Sequence, residues 1–284
     1  MKKTLRGFSA PASILVVLCA GLLWASVAQA GAWTQEEGNG YAKVWGRALL
    51  GSAAYFADGE VRDLDDSFTD LTLNLYGEYG VADGWTLLAA GAPLGFASSA
   101  GESTLYSEGG VLGVRRRILG GSVPLAFEAR YGYRPGVGEK VLVAGQVEGN
   151  PYAYIPTVES HTADGELQIG MGTSWGWVTG SFGARFYSRE RIDPTLLGNF
   201  QIGTRVGSSV VLDFHVFMHE PLGDVEVTEI TGAGQTRYLG LGFGGSWWFV
   251  EDWGVNLGLD GVVYAASNAA TPSIMLGLEH KYGP

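Results

Sequence analysis

Residues 71–85, LTLNLYGEYGVADGW, place Leu71, Leu73, Leu75, Gly77 and Tyr79 at odd positions and Thr72, Asn74, Tyr76 and Glu78 at even ones. A helix would scatter those leucines around its circumference. A strand collects them on one face and the polar set on the other. The same period recurs along the chain. Val178, Gly180, Phe182, Ala184 and Phe186 alternate with Thr179, Ser181, Gly183, Arg185 and Tyr187. Val210, Leu212, Phe214, Val216 and Met218 alternate with Val211, Asp213, His215, Phe217 and His219. About twelve such segments are expected, near 40–50, 68–81, 85–96, 108–118, 123–134, 165–175, 177–189, 198–206, 209–220, 235–249, 252–265 and 271–282. Their connections alternate between tight turns and longer, mostly polar loops at 51–67, 97–107, 135–164, 188–197, 221–234 and 266–271. That order fits a transmembrane, up-and-down antiparallel β-barrel, an all-β fold.

The first thirty residues read as an export signal. Lys2, Lys3 and Arg6 open a short apolar run that ends at Ala28-Gln29-Ala30, the small residues that a signal peptidase needs. The expected division is therefore a signal peptide, 1–30, removed on export, and one barrel domain, 31–284. The only cysteine, Cys19, leaves with the signal, so the mature chain offers no disulfide, thiolate nucleophile or cysteine-ligated metal. Taking the three basic residues of the signal from 18 leaves 15 against 29 acidic ones, a net charge of −14. Such a balance argues against nucleic acid as a partner. The 45 glycines and the many aromatic residues suit short strands and turns.

Which apolar medium the leucine face meets is decided by the other face. Alternation gathers Lys43, Arg47, Asn74, Glu78, Arg115, Arg117, Glu128, Arg130, Glu166, Arg185, Arg189, Arg205, Asp213, His215, Asp260, Glu279 and Lys281 on it. Arg116 and Arg237 are the charged exceptions, both near strand ends. Twelve apolar faces cannot share one dry core, whereas closure with lipid outside and a polar lumen satisfies every backbone group. These residues are the expected lumen lining, slightly basic in balance. Trp85, Trp175, Trp177, Trp248 and Trp253 lie beside short turns, where an interfacial girdle belongs. The last strand, SIMLGLEHKY, resembles the C-terminal signal read by the barrel-assembly machinery, although Gly283 and Pro284 follow the tyrosine.

No catalytic, cofactor or metal site is expected. His215 and His219 share a strand face but lie about 13 Å apart, too far for one metal. Asp213 and His215, about 7 Å apart between Cα atoms, suit a hydrogen-bond network in the lumen.

GAWTQEEGNGYAKV, LTLNLYGEYGVADGWTL and DGELQIGMGTSWGW resemble a family of outer-membrane transporters, the phenol meta-pathway (MetA-like) and XagA-like proteins, loosely related to FadL-type channels for hydrophobic compounds. The resemblance implies uptake of aromatic or other hydrophobic molecules and assigns no binding residues. The expectation is thus a channel or transporter for small solutes in the outer membrane, with lipid around it. A structural or adhesive barrel with a plugged lumen is the alternative. The loop 135–164, with its aromatic tip GNPYAYIP, is long enough to fold into the mouth.

Overall fold

The computed structural model describes residues 32–137, 142–147, 150–190, 192–223, 229–231 and 236–283, with 142–147, 150–154 and 229–231 described as backbone only. The signal segment 1–30 lies outside the described residues. Seventeen strands are present among them. The first six are β1 (Gly40–Tyr55), β2 (Val61–Ala82), β3 (Trp85–Ser99), β4 (Glu102–Tyr106), β5 (Gly109–Leu119) and β6 (Leu125–Arg134). Next come β7 (Leu142–Val147), β8 (Asn150–Ile155), β9 (Ser160–Gly172), β10 (Gly176–Tyr187), β11 (Thr195–Val206) and β12 (Val210–Pro221). The chain ends with β13 (Glu229–Thr231), β14 (Arg237–Trp248), β15 (Trp253–Ala266), β16 (Asn268–Ala269) and β17 (Ser273–Tyr282).

Twelve of them form a closed antiparallel barrel in the order β1, β2, β3, β5, β6, β9, β10, β11, β12, β14, β15, β17. Closure comes from β1, which pairs with β2 on one side and β17 on the other, from Gly40 opposite Tyr282 to Leu49 opposite Ser273. Closure leaves no strand edge open to lipid along this ladder. The burial pattern is inverted relative to a soluble protein. Leu71, Leu73 and Leu75 are 40–42% exposed, while the alternate residues Asp70 and Thr72 are 3–4% exposed. Phe243, Leu257 and Leu276 likewise face outward, a surface that needs lipid.

Three features depart from the expectation. The segments 51–67 and 97–107 are largely strand, each folded back on a tight turn, rather than loop. β1 and β2 continue their pairing to Tyr55 opposite Val61, and β3 turns at Ala100-Gly101, both at positive φ, into β4. One wall of the barrel therefore rises above the rest. Its inner side carries an apolar cluster of Phe56, Leu64, Phe68, Tyr106 and three alanines. Second, loops 135–164 and 221–234 contribute β7, β8 and β13 to a separate three-stranded sheet. β7 packs on β2, and β13 contacts β16. Residues 148–149 and the side chains of 150–154 are outside the described residues, and with them the aromatic tip.

Third, alternation shifts phase within β3. Leu73 pairs with Leu94 but Leu75 pairs with Gly91, so Ala92 and Pro93 together oppose one residue of β2. Proline has no N–H for the ladder and fits at this bulge. Below it Thr86, Leu88 and Ala92 face inward; above it Gly95, Ala97 and Ser99 do. The tryptophan girdle also changes membership. Trp177 is 4% exposed and packs inside over Gly203, and Trp248 sits inside against Lys281, whereas the adjacent Trp247 faces outward with Trp85, Trp175 and Trp253. Proximity to a turn sets depth in the membrane; only strand phase sets the side.

Candidate functional site in the barrel lumen

The lumen is crossed by a ladder of ion pairs built by register. Glu78 on β2, Arg115 on β5, Glu128 on β6, and Asp164 and Glu166 on β9 meet because antiparallel pairing brings inward positions level. Arg115 bridges Glu78 at 2.9 Å and Glu128 at 2.8 Å, all three side chains being at most 7% exposed. Tyr76 donates a hydrogen bond to Glu78, and Gln168 donates to Glu128 at 3.0 Å. Arg130 then reaches Glu128, Asp164 and Glu166, and Arg185 donates two hydrogen bonds of 2.8 Å to Asp164. Each buried carboxylate thus has a cationic neighbour, without which desolvation would be prohibitive.

The opposite wall, on β12, β14 and β15, holds a smaller cluster. His215 lies between two carboxylates, Asp213 at 3.0 Å from Nδ1 and Asp260 at 2.9 Å from Nε2, while Gln201 donates to Asp213. These rings fold across β14 because its central inward positions, 240, 242 and 244, are glycine. A Cβ on Gly242 would come 2.1 Å from His215 Nε2, and one on Gly240 2.2 Å from the Phe217 ring. Higher up, His219 stacks on Tyr238 with centroids 5.1 Å apart and 9° between planes, and Phe217 meets Tyr238 edge-on at 5.9 Å. Among the described residues no group of three or more His, Cys, Asp or Glu could hold a metal ion.

Neighbouring cavities lie between the walls. One of about 440 Å³ runs from Arg115, Arg130 and Gln168 across to Asn199, Phe217 and Tyr238. A second, about 280 Å³, lies toward Arg47, Arg134 and Thr236, and it shares Arg185, Phe217, His219 and Tyr238 with the first. A third, about 290 Å³, is bounded by Lys43, Asp213, His215 and Asn256 and shares Asn199 and Gln201 with the first.

Most residues expected to line the lumen sit in these walls. Lys43 lies over the Trp45 ring, Arg47 pairs with Asp70 and Glu108, Asn74 bonds Thr72, Glu279 accepts from Ser246, and Lys281 lies over Trp248. Arg205 continues the inward row of Asn199 and Gln201 toward a short turn. Two residues lie elsewhere. Arg117 is at the turn rim, paired with the exposed Asp83, and Arg189 is exposed beyond the end of β10. Asp164, in a segment expected to be loop, and Glu108, at the start of an expected strand, are inside. The basic excess expected of the lumen therefore disappears.

Sequence reading missed the N-terminal strap, residues 32–39, which closes much of the short-turn end from within. Gln35 donates from Nε2 to Glu78 and from its backbone N–H to Thr86 Oγ1, both at 2.8 Å, and Arg115 donates to the Trp33 carbonyl at 3.1 Å. Gly38 and Asn39 exchange backbone hydrogen bonds with Gly80. A Cβ on Gly80 would come 2.0 Å from the Glu36 carbonyl oxygen, so the strap's path requires glycine there. The strap has no apolar period to betray it.

No protein-family model matches the sequence, and no curated protein matches it. Among solved structures, the COG4313 outer membrane channel from Pseudomonas putida F1 is similar over 90% of this chain and all of that one, at 13% identity and a TM-score of 0.63. The NanC porin is similar over 85% of this chain and 100% of its own, at 9% identity and a TM-score of 0.51. At these identities the likeness is one of fold, and the fold is that of an outer-membrane barrel.

Proposed function

We propose that the protein is an outer-membrane channel for small solutes, exported by the signal peptide 1–30, inserted by the barrel-assembly machinery and mature from residue 31. The observation that carries this reading is a closed lipid-facing wall around a polar lumen with cavities of small-molecule size. The protein with the similar fold from Pseudomonas putida F1 is itself described as an outer membrane channel, which supports the reading. The resemblance to MetA-like and XagA-like transporters adds aromatic or hydrophobic solutes to the candidates. The lumen lining is the route, with the strap 32–39 narrowing its inner end.

A second reading, a barrel that serves structure or adhesion and passes nothing, draws on the same strap and on the matched ion-pair ladder. Planar bilayers separate the two. Discrete small conductance steps, enlarged when residues 32–38 are removed, are the expected result for a channel. Silence from both the full mature chain and the truncated one, with each protein folded and inserted, would establish the plugged barrel instead.

A further inference from the structure

We propose that the lumen cavity of about 440 Å³ is a binding site for a small, uncharged, polyhydroxylated solute, of the chemical class of a monosaccharide. The inference deepens the channel reading and rests on it for the route by which solute arrives.

Charge comes first. The cavity wall includes Arg115, Arg130, Arg185, Glu128 and Glu166, and all five are committed to partners within the ladder. An incoming anion would have to displace a carboxylate from a guanidinium, and a cation would have to do the reverse. Either exchange leaves a partly buried charge without its counterion, which is costly. A neutral solute avoids both.

Hydrogen-bonding capacity comes next. Gln168 is 6% exposed, its Nε2 is used by Glu128, and its Oε1 has no partner. An unpartnered buried acceptor calls for a donor from the solute. His219 adds a weakly held acceptor: its Nδ1–H donates to the Thr236 carbonyl at 2.7 Å, which leaves Nε2 to accept from the Tyr187 hydroxyl at a long 3.5 Å. Ser181 and Asn199 line the cavity as well, and they add groups that both donate and accept. A hydrocarbon or simple arene would leave these groups unanswered, whereas vicinal hydroxyls donate and accept at once.

The far wall supplies shape. Phe217 lies across Gly240, and Tyr238 lies against it and under His219, so an aromatic surface faces the polar row across the cavity. The C–H face of a sugar ring packs on such a surface while its hydroxyls turn to the polar side.

The test is titration calorimetry on the folded mature protein in detergent, with glucose, gluconate, glucosamine and benzyl alcohol as probes. Saturable glucose binding is expected, with gluconate and glucosamine at least about tenfold weaker. Gln168→Leu and Tyr238→Ala are each expected to weaken glucose about tenfold. Heat-modifiable gel mobility verifies that the variants remain folded. Absence of glucose binding to the folded wild-type protein, equal affinity for the charged probes, or preference for benzyl alcohol would each overturn the assignment. Because binding is measured without a membrane, sugar binding by a protein silent in bilayers would uphold the site and sink the channel.

Discussion

At the scale of single residues, the lumen is held by electrostatic matching under poor solvation. Arg115 is the residue on which most depends, since it neutralises Glu78 and Glu128 and also holds the strap through the Trp33 carbonyl. Arg115→Met keeps the volume and removes the charge, leaving two buried carboxylates facing each other. We expect a loss of about 3–5 kcal/mol in reversible unfolding from lipid vesicles. The triple variant Glu78→Gln, Arg115→Met, Glu128→Gln should lose less than Arg115→Met alone, because no charge is stranded. A triple variant as unstable as the single one would show that packing, not charge, sets the cost. Tyr106 illustrates the same principle: its buried hydroxyl donates to the buried Asp70 carboxylate at 2.8 Å, so neither group is left unanswered.

At the scale of an element, each strand separates two solvents. In β2 the outward row Leu71, Leu73, Leu75 meets lipid, and the inward row Asp70, Thr72, Asn74 meets the lumen. Leu73→Arg puts a cation into the apolar band and should cost about 2–4 kcal/mol near the midplane. The inward neighbour change Asn74→Ala should cost less, since it removes only hydrogen bonds to Thr72 and a strand carbonyl. Folding into vesicles at a series of urea concentrations measures both, and equal losses would contradict the two-solvent account. The alternation that reveals these faces is legible because successive Cβ atoms point to opposite sides of any strand. It fails where backbone geometry resets the phase, as at Ala92-Pro93 in β3, and no composition rule signals that a bulge rather than a turn lies there.

At the scale of the molecule, the short turns gather at one end and the raised wall, the second sheet and the longer connections at the other. Barrels of this kind place short turns in the periplasm. An epitope inserted at the Ala100-Gly101 turn should therefore be labelled on intact cells, and one beside Asp83 only after the outer membrane is opened. The reverse pattern would invert the molecule. The whole lumen is near charge balance once Asp164 and Glu108 are counted inside and Arg117 and Arg189 outside. Ion selectivity in bilayers should accordingly be weak.

The sequence by itself determined the twelve barrel strands and, β3 apart, the two faces of each, because these rest on local periodicity. Only the tertiary structure decided the rest. Arg115 finds Glu128 through strand register, the strap finds Glu78 and Thr86 across the closed barrel, and Trp177 and Trp248 turn inward by phase. Such pairings join residues far apart in sequence. Which ones meet is fixed by the register that closure imposes, a property of all twelve strands together.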